Sequence, residues 1–161
     1  MKYSSLAEIG NIVNAFQHGR ISREEWTHRA YLTVALSYCV HFPLDAATSR
    51  MREGILRLNE INGVANTATS GYHETMTVFW ISTVKGFVKT STERDIVTQA
   101  NELIAAFGDP RLPLKFYSRK LLFSPEARAR YVRPDLGRFS RFINSAKLAA
   151  RVGGYADAEY A

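Results

Sequence analysis

Apolar residues recur at every third or fourth position through most of the chain and rarely alternate, which is the period of helices rather than strands. In "SSLAEIGNIVNAFQHG" they fall at Leu6, Ile9, Val13 and Phe16, with Ser5 and Glu8 at capping-box spacing and Gly19 as a stop. A second helix is predicted to open at Ser22, with Glu25 completing its box, to line up Leu32, Ala35, Leu36 and Cys39, and to end before Pro43. A third runs from Leu44 to about Ile61 along Met51, Ile55 and Leu58, and Asn62-Gly63 stops it. "VANTATSG" has no period and reads as a loop. From Tyr72 to about Thr90 a fourth helix carries apolar residues on nearly every side, the pattern of an element surrounded by others. A fifth spans about Thr92 to Phe107, closed by Gly108-Asp109-Pro110. Regularity then declines: "SPEARARY" predicts a short helix capped by Ser124, while "RPDLGRF" and "GGYADAEYA" read as turns and a frayed end. The expected fold is an all-α bundle of about five main helices followed by an irregular basic C-terminal segment. It forms one domain over 1–161, with its core in 1–110 and the basic segment in 111–161.

Composition supports that frame and narrows the partners. With 161 residues, 46% hydrophobic and 22% charged, the chain is long enough for a real core and has the balance of a soluble globular protein. No apolar run reaches the roughly 18 residues that a bilayer span needs, so no membrane partner is expected. Cys39 is the single cysteine and lies in an apolar stretch, where it reads as a small buried hydrophobe; a cytoplasmic location is expected. The net charge of +6 is uneven, because residues 111–151 hold 11 Lys or Arg against Glu126 and Asp135. That segment interleaves its cations with Phe and Tyr, a combination suited to phosphate contact and base stacking, so binding of nucleic acid or of a protein partner is the alternative function. Arg128, Arg130 and Arg133 would carry it.

The leading candidate chemistry lies upstream. On the predicted second helix His28 shares the apolar stripe of Leu32, Ala35 and Cys39, with Glu24 and Glu25 one turn earlier. On the fourth, His73 shares the direction of Thr77 and Trp80 and is followed by Glu74. If consecutive helices alternate in direction, the second and fourth run parallel, and the two histidines differ in height by about 6 Å or less. A partial positive charge at the helix N-terminus keeps His73 neutral, as a general base or metal ligand must be. His28, His73 and Glu74 are therefore the candidate catalytic groups of a small-molecule site. His28, His73 and Glu25 are the candidate ligands of a divalent metal such as zinc or iron, with open positions for water and substrate. Tyr31, Tyr72 and Trp80 are the candidate ligand contacts. The competing reading makes Glu25 and Glu74 first-turn carboxylates, His28 a core histidine satisfied by Glu24, and His73 a residue bonded back to its own loop. Arg52 reads by default as part of a solvated face.

"EEWTHRAYLTVAL" and "GYHETMTVFW" resemble a family of small, uncharacterised bacterial helical proteins with W/F-T-H-x-A-H-L and Y-H-E-T segments. The similarity extends into "YSRKLLFSPEARARYVRPDL". It implies that His28, His73 and Glu74 are the matching positions, and that Tyr31 stands where the family has a second histidine. No activity comes with the resemblance.

Overall fold

The computed structural model describes residues 1–137, in which every regular element is helical. The main helices are α1 (Leu6–Gln17), α2 (His28–His41), α3 (Leu44–Ile61), α4 (Glu74–Thr90) and α5 (Ile96–Phe107). A 3-10 turn (Leu112–Lys115) and two short helices, α6 (Arg119–Leu122) and α7 (Pro125–Ala129), follow. No helix among the described residues is long and apolar enough to cross a membrane. The turn expected over 133–139 is described as far as Gly137, with a bend at 135–137, and the frayed end expected over 153–161 lies outside the described residues.

Local signals set most of the boundaries. Ser5 and Glu8 form the reciprocal capping box that opens α1, and Ser124 caps α7 with Pro125 at its first position. α1 and α3 both end in Schellman motifs. At the first, Gly19 adopts φ +64° while its N–H bonds Phe16 O and the next N–H bonds Ala15 O; Gly63, at φ +66°, repeats this at the end of α3. Leu6 and Ile61, the first residue of α1 and the last of α3, lie on the predicted apolar stripes but are 64% and 58% exposed.

α4 is the centre of the bundle. Phe79, Trp80, Ile81, Thr83, Val84 and Phe87 are all buried, against α2 and α3 on one side and the α6–α7 segment on another. Lys85 of this helix reaches past the core and donates its ammonium to Cys39 O and Phe42 O (2.7 Å each), satisfying carbonyls that the end of α2 leaves free. Cys39 is fully buried, and burial pushes its thiol up to about 12.

α2 departs from expectation at its start. The Ser22–Glu25 box does form, with Ser22 N–H donating to Glu25 (2.9 Å) and Glu25 N–H to Ser22 Oγ (3.3 Å), but it closes a single turn and not a helix. The helix begins at His28, where Thr27 Oγ1 accepts from Ala30 N–H (3.3 Å). Trp26 between the two caps stacks on Phe16 of α1 at 4.7 Å, which holds this stretch against α1 and out of the line of α2. Thr27→Ala is therefore expected to cost about 1 kcal/mol in urea unfolding and Ser22→Ala only a few tenths, roughly, since only the first removes a helix cap.

Candidate functional site

The segment Gly71–Thr75 joins three parts of the molecule. Gly71 has φ +78°, and a Cβ on it would lie 2.6 Å from Ala65 O and 2.5 Å from Asn66 Oδ1, so the chain passes the loop here as only glycine permits. His73, 8% exposed, is the N-cap of α4: its Nδ1 accepts from Met76 N–H (3.3 Å). Its Nε2 faces Leu122 O at 2.7 Å and must donate, so both ring nitrogens are engaged and the neutral Nε2–H tautomer is fixed. Burial lowers the pKa of this imidazole, and the nearby Arg128 guanidinium lowers it further. Thr75 Oγ1 donates to Arg130 O (3.0 Å) and accepts from Val132 N–H (3.1 Å). Arg128 donates to Gly71 O (3.0 Å) and Tyr72 O (3.2 Å).

Glu74, the next residue, turns toward α3. Arg52 approaches it with two arms, Nε at 2.9 Å and Nη2 at 2.6 Å, and the Tyr72 hydroxyl donates to the same carboxylate at 2.6 Å. The guanidinium and, after it, the phenol hold Glu74 below the usual carboxylate range. Burial, with the adjacent carboxylate, pushes the Tyr72 hydroxyl up. The Tyr31 hydroxyl comes in from α2 beside Thr77, with Tyr72 and Glu74 near it, and burial pushes it up as well. It is buried with no hydrogen-bond partner. Thr77 lies next to it without completing a bond of normal geometry and gives its own proton to His73 O (3.1 Å).

His28 is the first residue of α2. Its Nε2 donates to Phe107 O at the end of α5 (3.0 Å), and its ring lies 4.4 Å from that of Trp80 and 6.3 Å from that of Tyr31. Burial, chiefly, lowers its pKa, so this imidazole is also neutral near pH 7.

The structure thus draws His28, Tyr31, Tyr72, Glu74 and Trp80 into one connected neighbourhood between α2 and α4, with Arg52 of α3 at its edge. His73 and Glu25 are not in it. The expected metal ligands His28, His73 and Glu25 do not converge, and no group of three or more His, Cys, Asp or Glu among the described residues is placed to hold a metal ion. Two physical reasons account for this. First, the two imidazoles are held in different directions: His28 Nε2 donates to Phe107 O of α5 with its ring against Trp80, whereas His73 Nε2 donates to Leu122 O of α6. Second, the late start of α2 leaves Glu24 and Glu25 in an exposed turn, where Glu25 serves Ser22 and neither acid satisfies His28.

The sequence placed Arg52 by default on a solvated face, and the structure pairs it with Glu74 instead. Sequence reasoning missed the partners of both histidines, because a backbone carbonyl has no sequence signature. Of the cations offered for phosphate contact, Arg128 is spent on the Gly71–Tyr72 carbonyls and Arg130 pairs with Glu126. No family model, curated protein or solved structure matches the chain.

Proposed function

We propose that this chain is a small-molecule-binding helical protein whose ligand meets the polar cluster of Tyr31, Tyr72, Glu74 and Arg52, flanked by His28 and Trp80. The buried, unpartnered Tyr31 hydroxyl carries the reading. Leaving such a group unpaired costs about 1–3 kcal/mol, which a ligand atom bonded to it would recover. Its surroundings favour a polar, uncharged ligand group. Both phenols stay protonated, His28 stays neutral, and the charge of Glu74 is already balanced by Arg52. The Arg52 side chain is 36% exposed against 14% for Glu74, so the guanidinium is the more open member of that pair. The chemistry suits recognition by hydrogen bonding, with the His28 imidazole as the group able to take up a proton if a reaction follows.

Tyr31→Phe separates binding from structure, because it deletes the orphaned hydroxyl and keeps the ring. The unliganded variant is expected to be as stable as the parent or up to about 1 kcal/mol more so. Native mass spectrometry of protein purified without a tag should show an adduct on the parent and on Lys120→Gln, and none on Tyr31→Phe. Identical mass profiles for all three would overturn the proposal.

A further inference from the structure

A cleft opens where the chain leaves α1, apart from the cluster around Glu74. The Schellman turn at Gly19 reverses the chain beside α1, and residues 20–27 stay tied to the bundle by the buried Ile21, whose carbonyl accepts from Asn62 Nδ2 (2.9 Å), and by Trp26 stacked on Phe16. Between this stretch, α1 and the N-terminal segment lies a cleft of about 640 Å³, within the range of small-molecule sites. Ile12, Ala15, Ile21 and Ala30 supply its apolar floor. One wall is fixed by Tyr3, which is 8% exposed. The Asn101 side chain clamps its backbone on both sides (2.8 and 2.9 Å), and its hydroxyl is shared with Thr33 Oγ1 (2.9 Å).

The charges at the rim decide what fits. Lys2, Arg20 and Arg29 stand against Glu8 and Glu25, which sums to +1. The two acids are occupied as caps: Glu8 accepts from Ser4 and Ser5, and Glu25 from Ser22. The cations are not used up. Arg20 bonds Asn14 Oδ1 through one nitrogen, and Arg29, its guanidinium 4.0 Å over the Tyr3 ring, bonds Met1 O through one nitrogen, although a guanidinium has five N–H donors. The charged groups with donors to spare are therefore the guanidinium ions, and the fixed carboxylates disfavour more than one negative charge on the ligand. We infer that this cleft binds an amphipathic monocarboxylate, its apolar body on the Ile12–Ile21 floor and its carboxylate at Arg20 and Arg29.

Decanoate is a suitable probe, compared by calorimetry with decanol and with decyl phosphate. Decanoate should bind one per chain and at least about ten-fold more tightly than either comparator, and Arg20→Gln should weaken it by about ten-fold. Asn11 lines the cleft from an exposed position, so Asn11→Trp fills the space without entering the core and should abolish binding in a protein with unchanged circular dichroism. Tyr31→Phe should leave decanoate binding intact, which separates this site from the cluster around Glu74. Equal affinity for decanoate and decanol, tighter binding of decyl phosphate, or binding that survives Asn11→Trp would each overturn the assignment.

Discussion

His73→Ala is expected to lower the unfolding free energy by about 2–4 kcal/mol, the largest loss from any single polar side chain of the Gly71–Thr75 segment. Two contributions add. Removing the N-cap of α4 costs about 0.5–2 kcal/mol, and leaving the buried Leu122 carbonyl without its donor costs about 1–3 kcal/mol. His73→Asn should return about 1 kcal/mol of this, because asparagine caps well but is too short to reach α6 as the imidazole does. Urea titrations of the three proteins measure both steps. A His73→Ala protein as stable as the parent would show that the residue is not held as described.

The same histidine sets a pH dependence. His73 and His28 both have folded-state pKa values depressed below the ordinary 6.5, chiefly by burial. Below about pH 6.5 the unfolded chain therefore binds protons that the native one refuses, and stability rises with pH up to that point and levels off above it. Stability should fall as the pH drops from 7 toward 5, and His73→Asn should show a shallower fall. Glu74 acts in a lower window: its pKa is depressed below 4.5 when folded, so its contribution is lost only as the pH falls below about that value.

Gly54→Ala is the second large effect, and its sign runs against helix propensity. Gly54 lies in the interior of α3, where alanine would ordinarily be better by about 1 kcal/mol. Here a Cβ would fall 2.3 Å from Cε1 and 2.4 Å from Cζ of Phe16. That ring has no room to retreat: it is fully buried and stacked against Trp26 at 4.7 Å. Overpacking of this kind costs about 1–3 kcal/mol, so a net loss of about 1–2 kcal/mol is expected, and Gly54→Leu should lose more. Thermal unfolding followed by tryptophan fluorescence reads the stability, and in a Trp80→Phe background the same signal comes from Trp26 alone and reads the displaced ring. Phe16→Leu in the same chain should restore part of the loss; without restoration, the clash is not the cause.

These cases show what the residue pattern carried and what it did not. The bounds of α3, Leu44–Ile61, were legible because Pro43 and Asn62-Gly63 bracket a clear period. The centrality of α4 was legible from apolar residues on all its faces. The start of α2 was not, because Ser22 and Thr27 are both competent caps and the choice fell to Trp26 stacking on a distant helix. The start of α5 moved for a similar reason: Asp95 caps it through Thr98 N–H (2.9 Å), four residues after the expected start. At the candidate site the residue types were visible, but their grouping depended on which backbone carbonyl each imidazole found, Phe107 O for His28 and Leu122 O for His73, and periodicity within a single helix does not contain such partners. Gly54 left only the weak mark of a glycine inside a helical stripe.

The attachment of residues 122–132 to α4 has a further consequence. His73 grips Leu122, and Thr75 grips Arg130 and Val132, entirely through main-chain carbonyls and an amide. Those contacts are blind to side-chain identity; within the stretch Arg128, whose guanidinium holds the Gly71 and Tyr72 carbonyls, and the fully buried Leu122 and Ala127 are held by their side chains as well. Substitutions along this stretch that preserve its backbone path can diversify the outward surface freely, while the anchoring residues on α4 have far less latitude to change.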